Sequence, residues 1–409
     1  MNSYDCIIVG GGAAGMAASI TAAQNGRKVL LLEKMNSCGR KISITGKGRC
    51  NVTNNCGRDE FFENIPTNPR FLYSAYSAFN PQDCMDFFER LGVPLKTERG
   101  NRVFPVSDKA QDIVRALEQG CEDCGVKIIY SKVTEILAES GEVRGVKCGD
   151  RSFSAKSVLI AAGGCSYPKT GSDGSGYRLA EKLGHTVTEI RPSLVPIESD
   201  DGYCRDMMGL SLKNVLLTLK DTEKKKTLFE EQGEMLFTHF GVSGPLVLSA
   251  SAHIPKTESG RYIFYIDLKP ALDEKKLDER ILRDFGEIPN RIFANSLSKL
   301  LPAKMISTVV MLSEIDGEKQ VNSVTKQERH RLVSLLKAFP VHIRCFRPIE
   351  EAIVTSGGIK TSEISPKTME SKLIKGLYFA GEIIDVDAYT GGFNLQIAFS
   401  TGVLAGRNL

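Results

Sequence analysis

The first 33 residues contain the pattern that most constrains how this chain folds. An apolar stretch, Cys6-Ile7-Ile8-Val9, runs into the glycine-rich turn Gly10-Gly11-Gly12-Ala13-Ala14-Gly15, and helical patterning continues over Ala13–Gln24. A second predicted strand, residues 28–32, is apolar after Lys28 and leads directly to Glu33. An order of strand, glycine turn, helix and strand, with an acid about 20 residues after the turn, is typical of domains that bind a dinucleotide.

Each residue type in this turn has an expected role. Gly10 allows the tight turn, Gly12 lets the backbone approach a pyrophosphate, and Gly15 lets the helix pack closely on the sheet. The unpaired N–H groups at the helix start, from Ala13-Ala14, carry a partial positive charge that favours the pyrophosphate. The carboxylate of Glu33 is expected to accept a hydrogen bond from a ribose hydroxyl.

Two further strand ends carry glycine and indicate FAD rather than NAD. The predicted strand 157–161 runs into Ala162-Gly163-Gly164, and the predicted strand 376–380 runs into Gly381-Glu382, with Asp385 close behind. Gly391-Gly392-Phe393-Asn394 then opens a closing helix, whose N-terminus can hold an electron-rich group. FAD is long, so its adenosine and flavin ends must be held by different parts of a chain. An N-terminal glycine turn paired with a C-terminal strand–glycine–acid unit meets that need.

Residues 38–54 form the most unusual stretch, with four cations, three glycines and two asparagines. Glycines let backbone N–H groups approach a phosphate or a flavin edge, and Arg or Lys can neutralise a pyrophosphate or a reduced flavin. The alternative is a solvated surface loop, but long loops in compact domains are usually functional. The candidate cofactor-binding residues are Gly10, Gly12, Ala13, Ala14, Gly15, Glu33, Lys34, Arg40, Lys41, Gly46, Gly48, Arg49, Cys50, Asn51, Ala162, Gly163, Gly381, Glu382, Asp385, Gly391, Gly392, Phe393 and Asn394.

Size and composition place the chain among ordinary globular proteins of more than one domain. It has 409 residues, 42% of them hydrophobic and 25% charged, and no apolar run approaches the roughly 18 to 20 residues of a membrane span. An apolar strand beginning so near the N-terminus leaves no room for a signal peptide. Eleven scattered cysteines favour reduced thiols over a disulfide framework. We therefore expect a cytoplasmic protein with no membrane partner.

The order of patterns predicts an α/β fold in which a Rossmann-type FAD domain is interrupted by an insertion. We assign the first part of the FAD domain to residues 1–191 and its C-terminal part to residues 343–409. The insertion is expected to have a β-rich part, 192–270, and a charged helical part, 271–342. No second strand–GxGxxG–helix unit occurs between 192 and 345, so a nicotinamide donor would have to dock without a dedicated domain.

Two residues are candidates for proton transfer. His239 precedes the turn Gly241-Val-Ser-Gly-Pro, where a near-neutral pKa would suit a proton step; a purely structural role is the alternative. Cys50 lies in the glycine-rich loop as a proton donor or, alternatively, as a packing residue. Histidine and cysteine spacings predict no metal site.

The chain resembles the BaiN-like (YhiN-like) flavoproteins, within the glutathione-reductase-like FAD superfamily. The resemblance is carried by Gly39-Arg40-Lys41 with residues 46–54, by residues 238–245, and by Gly381-Glu382 through residues 394–396. It implies a glutathione-reductase-like FAD domain with a β-rich insertion and a helical cap. It also implies hydride movement at flavin N5, with NADH or NADPH as a transient donor.

The resemblance leaves three activities open. The first is NAD(P)H-dependent reduction of an activated C=C bond in a small apolar, steroid-like or enoyl substrate. The second is reduction of a uridine in ribosomal RNA to dihydrouridine, for which the basic residues Lys326, Arg329 and Arg331 would help to hold the RNA. The third is oxidation of an aminoketone by oxygen. With a formal charge of +4, the chain lacks the strong positive charge of an obligate nucleic-acid binder.

Overall fold

The computed structural model describes residues 3–409 and divides the chain into two compact units. Unit 1 comprises the chain up to Ser193 together with Pro348–Leu409, and unit 2 comprises Leu194–Arg347. The chain therefore leaves unit 1, forms unit 2 and returns, and an α/β domain is interrupted by an insertion as the sequence predicts.

The strands, in chain order, are β1 Ser3–Val9, β2 Val29–Glu33, β3 Thr53–Asn54, β4 Leu95–Glu98, β5 Arg102–Pro105, β6 Lys127–Tyr130, β7 Glu135–Glu139, β8 Glu142–Cys148, β9 Arg151–Ile160, β10 Arg191–Ser193, β11 Ile197–Ser199, β12 Ser211–Asp221, β13 Lys226–Phe237, β14 Gly241–Ser243, β15 Tyr262–Asp267, β16 Phe339–Phe346, β17 Val354–Ser356 and β18 Leu377–Phe379. The helices are α1 Ala13–Gln24, α2 Arg40–Ile44, α3 Arg58–Glu63, α4 Tyr73–Ala78, α5 Pro81–Arg90, α6 Ala110–Asp123, α7 Ser175–Glu181, α8 Tyr203–Asp206, α9 Pro245–Ser251, α10 Glu274–Gly286, α11 Ala303–Leu312, α12 Lys326–Lys337 and α13 Phe393–Asn408.

The main sheet of unit 1 brings the predicted binding elements to one edge. Its strand order is β6-β2-β1-β9-β8-β7, with β18 also on β9, and the strands β6, β2, β1, β9 and β18 run parallel. In register, Val9 lies beside Leu32 and Ile160, and Ile160 lies beside Phe379. The carboxyl ends of parallel strands are where α/β sheets bind ligands. The glycine turn and the two later glycine segments follow these ends, and Glu33 is the last residue of β2.

Helices α1 and α13 pack against each other through glycine. A Cβ placed at Gly402 would lie 2.4 Å from the Ala14 carbonyl oxygen, and one at Gly406 would lie 2.6 Å from the Ala18 carbonyl oxygen. The close approach explains why α1 is alanine-rich and buried over most of its length. It also places the C-terminal helix directly beside the helix of the dinucleotide fingerprint.

Unit 2 contains a closed barrel of six strands, in the order β11-β14-β13-β12-β15-β16. The charged helical stretch α10–α12 lies between β15 and β16 in the chain, so the barrel closes only after those helices. Its core includes the fully buried rings of Phe237, Phe264 and Phe339. The last strand, β16, pairs with β11 and β15 through residues 339–346 and extends past the expected return at residue 343.

Segment 38–54 contains more regular structure than its glycine-rich composition suggests. It contains α2, a 3-10 turn over Thr45–Gly48 and the short strand β3, which pairs with β5. Glycines at positive φ, such as Gly39 at 65°, allow these short pieces to connect. Among residues 3–409, no helix is both long and apolar enough to cross a membrane.

Candidate active site

A cleft runs along the carboxyl edge of the parallel strands, and the residues that line it all belong to unit 1. The fingerprint turn, the end of β2, the start of α2, the end of β9 and the segment after β18 contribute to its walls. Thirteen of the predicted binding residues line it: Gly10, Gly12, Ala13, Ala14, Glu33, Lys34, Arg40, Lys41, Ala162, Gly163, Gly381, Glu382 and Asn394.

The three fingerprint glycines occupy three different environments. A Cβ at Gly10 would lie 2.5 Å from the Ala161 carbonyl oxygen, and one at Gly15 would lie 1.9 Å from the Gly10 carbonyl oxygen. A Cβ at Gly12 would meet no heavy atom within 4 Å in residues 3–409, because this position faces the open cleft. Two glycines thus permit close packing, and the third keeps the space beside α1 open.

The start of α1 is suited to hold an anion. Its N-cap is Gly12, and no side chain within residues 3–409 caps the helix by a hydrogen bond. Ala13 and Ala14 line the cleft, and their methyl side chains offer no hydrogen-bonding group. The first-turn N–H groups are therefore available to a phosphate, as they are at other dinucleotide-binding helices.

Glu33 fixes the turn to the end of β2. One carboxylate oxygen, Oε2, accepts from the Gly11 backbone N–H at 2.7 Å, and Oε1 accepts from the Met35 N–H at 2.7 Å. The residue is 9% exposed and lines the cleft. A carboxylate oxygen has more than one lone pair, so these bonds leave capacity for a ribose hydroxyl.

A polar network joins the α2 wall of the cleft to the segment after β18. The ammonium of Lys41 donates to Glu382 Oε2 at 2.6 Å and to Ser166 Oγ at 2.6 Å. Glu382 Oε1 also accepts from the Thr355 N–H at 2.9 Å. Glu382 thus holds three separate segments together. Arg40, also in the cleft wall, donates to Asn36 Oδ1 at 2.8 Å.

The glycine pair before α13 positions the helix start. A Cβ at Gly392 would lie 2.4 Å from the Thr53 carbonyl group, so glycine is required where α13 meets β3. Asn394 lines the cleft, and its side chain both donates to and accepts from the backbone of Ala388. Phe393 is buried against Phe61.

Several predicted residues of the loop do not line the cleft. Arg49 pairs with Glu98 at 2.5 Å and Asp108 at 2.6 Å, and its guanidinium lies 4.1 Å from the ring centroid of Phe104. The charge of Arg49 is thus paired with carboxylates of unit 1. Nine other predicted binding residues also lie outside the cleft lining: Gly15, Gly46, Gly48, Cys50, Asn51, Asp385, Gly391, Gly392 and Phe393.

The two candidate proton donors have contrasting environments. Cys50 is fully buried, and burial raises the pKa of its thiol to about 12. A thiol with such a pKa stays protonated at neutral pH and gives up its proton only to a strong base. His239 is exposed in unit 2, with its ring against Phe240 at 5.0 Å between centroids.

Asp385 lies outside the cleft lining, and burial raises the pKa of its carboxyl group although Thr188 and Asn68 hydrogen-bond to it.

The cleft also contains residues that the motifs did not reveal. Ser131, Lys132 and Val133 follow β6, and residues 170–172 together with Ser175 precede or begin α7. The signal for the first group was its position after a parallel strand. For the second group the signal was the glycine-rich run 171–176.

These walls fit FAD. The open space at Gly12, the uncapped start of α1, and glycine at the ends of β9 and β18 together form a long cradle bounded by small residues. Ser172 lines the cradle with a buried hydroxyl that has no hydrogen-bond partner within residues 3–409. Such a hydroxyl, in a cleft lined by glycine, matches a polar ligand that approaches the backbone closely.

Comparison with known proteins agrees with this geometry. Residues 4–408 match the family model described as the HI0933-like protein Rossmann domain. The chain belongs to this family. Over 404 residues it is 31% identical to a 3-dehydro-bile acid Δ4,6-reductase of Clostridium scindens, covering 98% of this chain and 97% of the relative. Over 414 residues it is 31% identical to a ribosomal RNA dihydrouridine synthase of Escherichia coli, covering 100% and 98%.

Among solved structures, one similar fold is the 3-ketosteroid Δ1-dehydrogenase of Sterolibacterium denitrificans in complex with 1,4-androstadiene-3,17-dione. It has a TM-score of 0.53 and 13% identity, with 99% of each chain covered. The likeness extends through both units of the HI0933-like chain and concerns the fold alone. With its family and fold, this HI0933-like protein is an FAD-dependent oxidoreductase.

Proposed function

We propose that this protein catalyses NAD(P)H-dependent reduction of an activated C=C bond in a small apolar molecule. In the net reaction the alkene carbons gain one hydride and one proton, and the nicotinamide is oxidised. Bound FAD supplies the hydride-transfer chemistry at its N5 position. The observation that carries the proposal is the full-length 31% identity to a relative named as a bile-acid C=C reductase.

The residues of the cleft support the binding part of this function. The start of α1 would hold the pyrophosphate, and Glu33 the adenosine ribose. The Lys41–Glu382 pair would fix the opposite walls of the cleft around the cofactor. Glycine at positions 10 and 15 keeps α1 close to the sheet, so the helix N-terminus stays aimed into the cleft.

Surface character favours a small apolar substrate over RNA. Ile353 lines the cleft and is 36% exposed, and Ile44, at the end of α2, is 46% exposed. Unit 2 carries 23 Lys and Arg against 21 Asp and Glu, so its net charge is only +2. A charge so close to balance provides little general attraction for a polyanion.

The basic helix α12 is also less available to RNA than its sequence suggests. Arg329 forms a two-bond ion pair with Asp278 and is largely covered. Lys326 and Arg331 remain exposed. The second candidate, uridine reduction in ribosomal RNA, is favoured by the full-length relative named for that reaction. Reversing the charge at Lys326 and Arg331 should reduce RNA binding if this second function is correct and leave it unchanged otherwise.

The test begins without oxygen. The purified yellow protein is mixed with NADH and then with NADPH, and bleaching of the flavin absorbance is followed. We expect rapid bleaching by one of them, followed by reoxidation when an apolar enone is added. Reoxidation by a uridine-containing ribosomal RNA fragment alone would favour the second candidate. Absence of bleaching with both nucleotides would contradict the reductase proposal and favour an oxidase that takes electrons from its substrate.

A further inference from the structure

The loop 170–175 forms part of one end of the cleft. Its residues Thr170, Gly171, Ser172 and Ser175 line the cleft together with Lys34, which follows β2. The segment after β6, residues 131–133, completes this end. Because the acid at the end of the second strand meets the ribose in dinucleotide-binding domains, this end corresponds to the adenosine portion of a bound FAD.

Ser172 is placed as a ligand-binding residue would be. It is 4% exposed, and its Oγ has no hydrogen-bond partner among residues 3–409. A Cβ built at Gly163, at the end of β9, would lie 2.8 Å from this Oγ, so the hydroxyl sits directly over a glycine of the cleft wall. Burying a hydroxyl without a partner is costly, and a ligand in the cleft would supply the missing partner.

The loop is anchored by residues on both sides of Ser172. Lys34 forms an ion pair with Asp173 and donates to Ser175 Oγ at 2.8 Å. Asp173 also accepts from the Ser175 N–H at 3.0 Å, at the start of α7. A Cβ at Gly171 would lie 3.0 Å from Met35 Cγ, so the loop packs directly on the chain after β2.

The charge on Asp173 is maintained in this position. Burial acts to raise the pKa of its carboxyl group, but the bonds from Lys34 and Ser175 outweigh burial, and the pKa is well below its usual range. The carboxylate is therefore ionised at neutral pH and remains available to Lys34. The anchor fixes the loop, and with it the position of the Ser172 hydroxyl.

We propose that Ser172 is a cofactor-positioning residue whose hydroxyl hydrogen-bonds the adenosine portion of FAD, and that the Lys34–Asp173 pair holds its loop in place. The inference rests on FAD occupying the cleft and is independent of the substrate. The proposal predicts that the loop contributes to the affinity for the adenosine half of the cofactor. The binding and the potential of the flavin half should not depend on the loop.

The experiment uses the full chain after reversible removal of flavin. Wild type, Ser172→Ala and Ser172→Thr are titrated with FAD, with ADP and with FMN, which lacks the adenosine half. We expect Ser172→Ala to raise the dissociation constants for FAD and ADP about three- to ten-fold, as loss of one hydrogen bond would. Ser172→Thr should retain most of the affinity, and FMN binding and the flavin midpoint potential should not change.

Two further variants separate positioning from general damage. Asp173→Asn should weaken FAD and ADP binding and leave FMN unaffected, because it releases the loop. Ser152→Ala, at an exposed position of β9, is the matched control and should bind all three ligands as wild type does.

Unchanged FAD and ADP affinity in Ser172→Ala would overturn the proposal, and so would an equal loss of FMN affinity, which would indicate a structural defect. A wild-type protein that binds neither FAD nor ADP would overturn the cofactor assignment and this proposal with it. The titrations do not depend on turnover, so a failure of the C=C reduction assay is a distinct result.

Discussion

Two glycines of the same turn should respond to alanine in opposite ways. At Gly12 an added Cβ meets no heavy atom of residues 3–409 within 4 Å, and the backbone, with φ −88° and ψ −166°, is extended and accepts any residue. At Gly15 an added Cβ would lie 1.9 Å from the Gly10 carbonyl oxygen. Gly12→Ala therefore tests the cleft, whereas Gly15→Ala tests the packing of α1 on the sheet.

The expected magnitudes follow from these distances. In Gly12→Ala, restriction of the unfolded chain stabilises by about 0.4–1 kcal/mol, and loss of a favoured N-cap residue offsets it by a similar amount. The free energy of unfolding should thus change by less than about 1 kcal/mol. The added methyl group would occupy space that the cofactor needs, and such overpacking costs about 1–3 kcal/mol of binding free energy. The dissociation constant for FAD should therefore rise about 5- to 150-fold. Gly15→Ala should lower the free energy of unfolding by about 1–3 kcal/mol or more.

The assay combines urea denaturation of the flavin-free protein, followed by circular dichroism, with FAD titration by flavin fluorescence. Gly57→Ala is the matched control, because Gly57 is the N-cap of α3, has extended backbone and also has no heavy atom within 4 Å of an added Cβ among residues 3–409. It lies outside the cleft lining. If Gly12→Ala bound FAD as tightly as Gly57→Ala does, the cofactor would not pass over the start of α1 and the binding argument would be refuted.

Three other perturbations probe unit 1. The paired variants Lys41→Met and Glu382→Gln should show a coupling free energy of about 1–2 kcal/mol in a double-mutant cycle on stability, since the pair is only partly exposed; strict additivity would contradict it. His185 is buried, which lowers the pKa of its imidazole although Glu363 opposes the shift, so stability should fall as pH drops from 7 through 6.5 and below, where only the unfolded chain gains the proton. The measurement is the urea midpoint of wild type and of His185→Gln at a series of pH values. If the midpoint falls equally with pH in both proteins, His185 is not the responsible group. Cys50→Ala should retain turnover at every pH but lose stability, whereas abolished turnover in a folded, flavin-loaded variant would make Cys50 the proton donor.

Much of the fingerprint could be predicted from sequence because most of its contacts lie within residues 10–35, although Gly10 also packs on Ala161. The helix Ala13–Gln24 begins and ends where its pattern predicted, and Glu33 reaches back only to Gly11. The three strand ends could be predicted for a related reason. Parallel strands share one carboxyl edge, so any glycine or acid that follows such a strand is brought to the same cleft.

The loop 38–54 shows where sequence reasoning fails. Lys41 and Arg49 are eight residues apart, and both were expected to serve the cofactor. Lys41 lines the cleft. Arg49 instead forms ion pairs with Glu98 and Asp108, and its guanidinium lies over the ring of Phe104. These partners lie about fifty residues or more along the chain, and composition of the loop alone contains no information about them. Whether a cation in a glycine-rich loop can bind a cofactor is therefore decided by acidic residues elsewhere in the chain, which the loop sequence does not reveal.

Ser172 is the opposite case, because its position follows from the same geometry of strand ends. Gly163 follows the end of β9, and within ten residues the chain turns back over the same edge, where Ser172 lies against Gly163. Its return is fixed by Lys34, which itself follows a parallel strand. Two strand ends therefore hold a third segment across the cleft. In a doubly wound domain, the residues that fasten strand ends to each other define where the ligand lies as firmly as the motif that first indicated it.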